Sequence, residues 1–204
     1  VLIAKGAYVE AEATARQAVL QIMSLYGRYS GYSARTFALL ARAISGQGRH
    51  AEAEQLAHAG IDVFETVGNK PESFLRGNAR RVLADTLVAQ NKWWAALAIY
   101  DGIEKDLADN RLTFEQYYAG NLNWAMALLK AGEITRARVT LASVLDRNKR
   151  LLGAKHYETA EATGFMAAVQ TAEGQQRDAL QNFASALPTL LSRSRQTQSE
   201  SSST

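Results

Sequence analysis

Three histidines are the side chains of this sequence most able to bind a metal or move a proton. His50 and His58 stand eight residues apart on one predicted helix, whereas zinc sites use closer pairs supplemented by carboxylates or thiolates. His156 belongs to a predicted loop, and the chain has no cysteine to supply a thiolate or a disulfide. We therefore interpret the histidines as surface or helix-start residues, and predict no metal site and no cofactor.

Two glutamate pairs, a glycine pair and the serines are the other residues whose types could support catalysis or phosphate binding. The pairs within Glu10–Glu12 and Glu52–Glu54 lie near predicted helix starts, where negative charge is favourable, and we interpret them as solvent-side charges. The glycines of Gly46–Gly48 follow no strand and lack a third glycine at phosphate-loop spacing. No serine lies in a nucleophile-elbow sequence. The sequence therefore predicts no enzymatic activity.

A seven-residue phrase occurs five times, and it determines how any functional residues are positioned. Its copies begin 42, 43, 41 and 42 residues apart, and each has an alanine five residues after its first residue. A period of this length predicts one helical unit repeated as a solenoid. The copies are GAYVEAE at Gly6 with Ala11, GRHAEAE at Gly48 with Ala53, NKWWAAL at Asn91 with Ala96, GEITRAR at Gly132 with Ala137, and GQQRDAL at Gly174 with Ala179.

Two kinds of helix alternate in the predicted unit. After each phrase, apolar residues recur at steps of three and four, which indicates a helix with one buried face. Between these helices a bulky–small pair repeats, which predicts close approach of two helix backbones. The pairs are Leu40-Ala41, Leu83-Ala84, Trp124-Ala125 and Met166-Ala167. The predicted helices are 7–24, 33–47, 50–67, 72–90, 93–108, 112–131, 134–150, 157–173 and 176–191.

The domain prediction is one all-α array of antiparallel helix pairs over residues 1–191. Its first repeat is expected to be truncated, because VLIAKG at Val1 reads as the last turn of a helix. From Ser192 the chain is polar, serine-rich and without an apolar face. Residues 192–204 are therefore predicted to form a flexible tail or linker.

Composition narrows the class of partner. The net charge of +3 arises from 23 basic and 20 acidic residues mixed along the chain, so we predict no nucleic-acid binding. No apolar run approaches the ~20 residues that span a bilayer, so we predict no membrane association. The compartment stays open, with the cytoplasm favoured over the bacterial periplasm.

The unit resembles a tetratricopeptide repeat, a family with a bulky–small pair, a turn glycine and an alanine five residues later. Leu40-Ala41, Gly48 and Ala53 occupy these places, while Asn91 departs from the pattern at the third turn. The period exceeds the family's usual length of about 34 and is similar to kinesin-light-chain-like repeats, as is the sequence of 152–159. The resemblance implies a right-handed superhelix of stacked pairs.

The same resemblance implies where a partner would bind. In this family the first helices of the pairs line a concave wall, so we expect a peptide or protein partner there. Basic and amide side chains on that wall could hold carbonyl groups or an acidic side chain. The implied partner-binding residues are Arg35, Arg42, Asn78, Arg81, Asp85, Asn123, Met126 and Lys130.

Two alternatives to a simple scaffold remain open. Residues 186–196, ALPTLLSRSRQ, resemble the end of the repeats that precede a caspase-like CHAT protease domain in bacterial proteins. That resemblance implies the regulatory region of a longer protein whose protease domain lies beyond Thr204. The other alternative is a structural module that self-associates through the apolar residues Val1–Ile3. We favour a non-catalytic interaction scaffold.

Overall fold

The computed structural model describes the backbone of residues 2–201 and the side chains of 2–3 and 5–192. Every regular element in this range is helical, which confirms the predicted all-α class. A short 3₁₀ helix at Ile3–Lys5 precedes α1 Tyr8–Tyr26, α2 Gly31–Ser45, α3 His50–Thr66, α4 Phe74–Ala89, α5 Trp93–Asp106, α6 Arg111–Tyr117, α7 Leu122–Lys130, α8 Ile134–Leu151, α9 Tyr157–Ala172 and α10 Gln176–Ser201.

The helices form two compact units, Val1–Phe114 and Glu115–Thr204. In the first unit each helix from α1 to α5 packs against the next, and α2 also contacts α4. In the second unit α7 to α10 pack in the same sequential way, and α7 contacts α9. Each unit therefore stacks antiparallel helix pairs, as the period predicts. The single array predicted for 1–191 stays a prediction.

The five phrase starts adopt the left-handed turn expected of them. Glycine adopts positive φ without steric cost, and asparagine tolerates it better than other side chains. In every copy the next residue's N–H donates to the carbonyl five residues before it, which closes the preceding helix in a Schellman motif. The φ angles are 77° at Gly6, 80° at Gly48, 60° at Asn91, 84° at Gly132 and 76° at Gly174.

Small residues bring the helices of each pair together. The repeat alanines are all buried, from 0% exposed at Ala53, Ala96 and Ala137 to 7% at Ala11. Two helix backbones lie close together at Gly60, where an added Cβ would lie 3.0 Å from the carbonyl oxygen of Ala34. The alanines of the bulky–small pairs are 0% exposed as well, namely Ala41, Ala84, Ala125 and Ala167. Both packing predictions are confirmed.

The continuous helix predicted at 112–131 is wrong, because the chain breaks between α6 and α7. The side chain of Asn121 accepts hydrogen bonds from the N–H groups of Asn123 (2.8 Å) and Trp124 (3.2 Å) and so begins a new helix. At Gly120 an added Cβ would lie 2.7 Å from Nη1 of Arg147, so the Arg147 side chain occupies that space. The Gly-Asn pair is thus a turn.

The last helix, α10, continues ten residues beyond its predicted end at 191. Residues 202–204 and the side chains of 193–201 lie outside what the structure describes. The flexible tail predicted for 192–204 therefore stays a prediction.

A polar contact that we call the inter-repeat clasp joins successive repeats. Glu12 accepts hydrogen bonds from Nε2 of Gln47 (2.7 Å) and Nη1 of Arg49 (2.8 Å), which flank the next turn glycine. The hydrogen bond from Gln47, followed by those from Arg16 and Arg49, lowers the pKa of Glu12 from 4.5 to about 2. Glu12 therefore joins two repeats through hydrogen bonds, and its interpretation as a solvent-side charge is wrong.

Two more clasps occupy the same repeat positions. The hydrogen bond from Lys92 is the main cause that lowers the pKa of Glu54, aided by Gln90. In the fourth copy the charge is reversed, while in the third copy a buried leucine stands at this position. The clasps are Glu54 with Gln90 (2.7 Å) and Lys92 (2.8 Å), and Arg138 with Glu173 (2.8 Å) and Gln175 (3.0 Å).

Candidate functional site

A cleft of about 400 Å³ opens between α2 and α4, the first helices of the two helix pairs in the first unit. Its buried floor is apolar, because repeat packing places small residues where these helices approach each other. Its rim combines cationic, amide and large apolar side chains. The lining residues are Arg35, Ala38, Leu39, Arg42, Phe74, Leu75, Asn78, Ala79 and Val82.

Two arginines on α2 give the cleft its charge. Arg35 and Arg42 lie seven residues apart, which places them on one face of the helix two turns apart. Both are exposed, and no hydrogen bond or ion pair joins either of them to another described residue. Their guanidinium groups therefore retain their N–H donors for an acceptor that enters the cleft.

Partial burial and neighbouring charges of both signs act on Arg42. Desolvation at the cleft lowers the pKa of Arg42, the positive charge of Arg81 lowers it further, and Asp85 opposes both effects. An arginine so placed still carries its charge at neutral pH. An anion bound beside Arg42 would therefore be stabilised by its positive charge.

Arg81 has a different role from the two α2 arginines. Its Nη2 donates to Oδ1 of Asn78 at 3.0 Å, and its Nη1 lies 3.5 Å from Oδ2 of Asp85. The Tyr100 hydroxyl in turn donates to Oδ1 of Asp85 at 2.6 Å. This network neutralises Arg81 and fixes Asn78 at the edge of the cleft, so Arg81 positions neighbouring groups.

The structure separates the predicted partner-binding residues into two sets. Arg35, Arg42 and Asn78 line the cleft, and Arg81 and Asp85 lie one to two turns further along α4 from Asn78. The other three lie on α7 in the second unit, and none of them lines the cleft. These are Asn123 and Lys130, both exposed, and Met126, which is half-buried.

Sequence reasoning missed the apolar part of the site. Leu39 and Phe74 are each 40% exposed and Leu75 is 37% exposed, although large apolar side chains favour burial. The sequence does contain a pattern that indicates this apolar surface. Leu75, Ala79 and Val82 follow one another at steps of four and three along α4. That spacing places them on one helical face beside Asn78.

A second cleft, of about 410 Å³, lies among α3, α4 and α5 and is electrostatically different. Its two arginines are both paired with carboxylates: Arg76 with Glu65, and Arg80 with Asp106. These pairs leave no surplus charge for a ligand. The cleft between α2 and α4 is therefore the better candidate for partner binding.

The histidines lie at helix boundaries or in open positions. His156 Nδ1 accepts a hydrogen bond from the N–H of Glu158 at 3.3 Å and so caps α9, while His50 begins α3. His58 lines the second cleft. Among the residues that the structure describes, no three side chains of metal-binding type form a cluster. No described helix combines the length and apolar character needed to cross a membrane.

The fold defines the class of helical repeat proteins, in which stacked helix pairs form a continuous surface. A tetratricopeptide repeat family model matches residues 117–192. This segment is therefore a tetratricopeptide repeat region, and repeats of this kind are generally non-catalytic. No curated protein matches the chain in sequence.

Solved structures extend the same fold over nearly the whole chain. The chain is similar to BtubC (BKLC) of P. vanneervenii at 17% identity and a TM-score of 0.64, covering 95% of this chain and 77% of that one. It is also similar to the TPR-like repeats of a Podosopora anserina protein described as a kinesin light chain, at 17% identity and a TM-score of 0.61. That match covers 95% of this chain and 92% of the other chain. The structure of the Q17M variant of the same repeats matches with a TM-score of 0.62. The predicted kinesin-light-chain-like fold is confirmed.

Proposed function

We propose that the chain is a non-catalytic interaction module whose α2–α4 cleft binds a peptide segment of a protein partner. The observation that carries the proposal is the pair of arginines without described partners, Arg35 and Arg42, beside an open apolar cleft. Such a site favours an acidic side chain next to apolar ones.

The binding mechanism combines two contributions. A carboxylate of the peptide accepts hydrogen bonds from Arg42 or Arg35, and hydrogen bonds to charged groups contribute about 1.5–3 kcal/mol each. An apolar side chain packs among Leu39, Phe74 and Leu75, where burial contributes about 1.5–3 kcal/mol. The helix backbones that carry these groups are already ordered, so the ordering cost on the protein side is mainly that of the two exposed arginine side chains.

Fluorescence anisotropy tests this proposal with two labelled decapeptides, one alternating leucine with glutamate and one alternating leucine with lysine. We expect the glutamate peptide to bind more tightly. Arg42→Glu should weaken that binding by about tenfold or more, because a like charge replaces the attractive one. The matched control is Arg177→Glu, which reverses an exposed arginine on α10 of the second unit.

Two results would contradict the proposal. One is equal binding of the two peptides, which would mean that charge has no part in recognition. The other is equal weakening by Arg42→Glu and Arg177→Glu, which would reflect net charge alone. The regulatory role upstream of a CHAT protease is supported only by the resemblance of 186–196 and stays a prediction, as does self-association through Val1–Ile3. The sequence that follows Thr204 in the gene tests the first, and light scattering tests the second.

A further inference from the structure

The α2 side of the α2–α4 cleft carries a row of three side chains, two cationic and one apolar. Arg35, Leu39 and Arg42 follow one another at steps of four and three, which places them on one face of α2. At the helical rise per residue, the two arginines lie about 10.5 Å apart along the axis. Leu39, between them, is 40% exposed. The row therefore presents one positive charge on each side of an apolar side chain.

The repeat register shows that helix packing does not require the arginines of this row. Residues that pack the helix pairs recur with the period, as the alanines of the bulky–small pairs do. The two arginines do not recur. The residues at the equivalent positions of the later pairs are Asn78 and Asp85, Ala119 and Met126, and Glu161 and Ala168. The arginine pair thus belongs to α2 and not to the repeat pattern.

The size of the cleft restricts the conformation of a peptide that enters it. Two turns of an α-helix, at a diameter of about 10 Å, occupy about 800 Å³. The cleft holds about 400 Å³, so an extended segment fits it better than a helix. In a polyproline II helix, residues three positions apart point the same way and lie about 9 Å apart. In a β-strand, residues three positions apart point to opposite sides.

We propose that the α2–α4 cleft selects a peptide in polyproline II conformation whose two acidic residues are three positions apart. This inference rests on the proposed function and adds the spacing that the site recognises. One carboxylate pairs with Arg35 and the other with Arg42, so charges on the two sides are complementary. A leucine between the two acids packs against Leu39 and Phe74. Arg35 and Arg42 together determine specificity.

Three labelled peptides of identical composition, with blocked termini, test the spacing. Their glutamates are three positions apart in Ser-Pro-Glu-Leu-Pro-Glu-Pro-Ser, adjacent in Ser-Pro-Glu-Glu-Leu-Pro-Pro-Ser, and six positions apart in Glu-Pro-Ser-Leu-Pro-Pro-Glu-Ser. In the last peptide both glutamates point the same way but lie about 19 Å apart. Anisotropy with the full 204-residue chain measures binding. We expect the first peptide to bind at least about tenfold more tightly than the other two, because it alone reaches both arginines.

Neutral variants of the chain distinguish recognition by two arginines from recognition by one. Arg35→Gln and Arg42→Gln should each weaken binding of the first peptide by about tenfold. At least one of them should change binding of the adjacent-glutamate peptide by no more than about twofold, because that peptide can use the remaining arginine. The matched control is Arg177→Gln, an exposed position on α10, which should leave binding unchanged. Thermal melts establish that the variants are folded.

Equal binding of the three peptides would overturn the proposed spacing and leave the binding of acidic peptides in place. A loss of the first peptide's binding in only one of the two arginine variants would also overturn it. So would tighter binding of an alanine-based helical peptide with glutamates seven positions apart, because the ligand would then be a helix. No binding of the three peptides up to about 1 mM would overturn it as well. The leucine–glutamate decapeptide then decides whether the proposed function also fails.

Discussion

At the residue scale, single polar side chains connect repeats that are more than thirty residues apart. Glu12 is the clearest case, because its carboxylate accepts hydrogen bonds from both residues that flank the next turn glycine. Only 13% of its side chain is exposed, so it is better shielded than the arginines that surround it. Contacts of this kind fix how one helix pair stacks on the next.

The pKa of Glu12 leads to a prediction about pH. Folding lowers this pKa from 4.5 to about 2, so the ionised carboxylate stabilises the folded chain above about pH 4.5. That stabilisation is lost as the pH falls toward 2. Glu12→Gln should therefore lower the urea midpoint at pH 7, and its difference from the unaltered chain should shrink between pH 4.5 and 2.

The control for that experiment is Glu10→Gln, which alters an exposed carboxylate on the same helix that forms no hydrogen bond with a described residue of another repeat. It should change the midpoint much less, because only its interaction with the helix dipole is removed. A Glu12→Gln difference that stays constant from pH 7 to pH 2 would contradict the assignment of the clasp.

A second prediction at this scale concerns the cap of α7. Asn121→Ala removes the acceptor for two backbone N–H groups, which should destabilise the chain by about 1 kcal/mol. Asn123→Ala, on an exposed position of the same helix, is the control and should have little effect. Urea denaturation measures both, and equal effects would argue against the cap.

At the element scale, the interface within each helix pair depends on side-chain volume. Ala125 is 0% exposed on α7, which packs against α8. Ala125→Trp should lower the free energy of unfolding by about 1–3 kcal/mol or more, because a packed interior has no spare volume. Thermal unfolding measures the change. Ala142→Trp places the same side chain at an exposed position of α8 and should melt like the unaltered chain.

Some features of the elements follow from the sequence alone, and others depend on distant residues. The phrase alanines and turn residues could be predicted, because close helix contact and a left-handed turn restrict residue type locally. The break at Gly120-Asn121 was missed because the apolar spacing continues across it, and the cap of Asn121 outweighs that pattern. The clasp of Glu12 was missed because its partners lie 35 and 37 residues away.

The cleft was predicted only in part, for a related reason. Arg35, Arg42 and Asn78 could be assigned from their place in the repeat, since the first helix of each pair has a face not covered by the second. Which arginines form ion pairs could not be assigned from the sequence, because the ion pair of Arg81 depends on the position of Asp85, which is itself held by Tyr100. The apolar rim at Phe74 and Leu75 depends on where two helices diverge.

At the scale of the whole molecule, the small net charge of +3 conceals an uneven distribution. Several arginines form ion pairs with carboxylates, as Arg76 and Arg80 do in the second cleft. Arg35 and Arg42 are different, because no described residue forms a hydrogen bond or ion pair with either of them. Positive charge beside exposed apolar side chains is what the proposed peptide-binding cleft requires.

Photo-crosslinking tests the central claim most directly. The leucine–glutamate decapeptide, carrying a benzophenone group at its centre, is irradiated with the full chain, and the attachment sites are mapped by mass spectrometry. The proposed recognition in the α2–α4 cleft predicts attachment within α2 and α4, with loss of that attachment in Arg42→Glu. Attachment confined to other helices, or unchanged by Arg42→Glu, would contradict it.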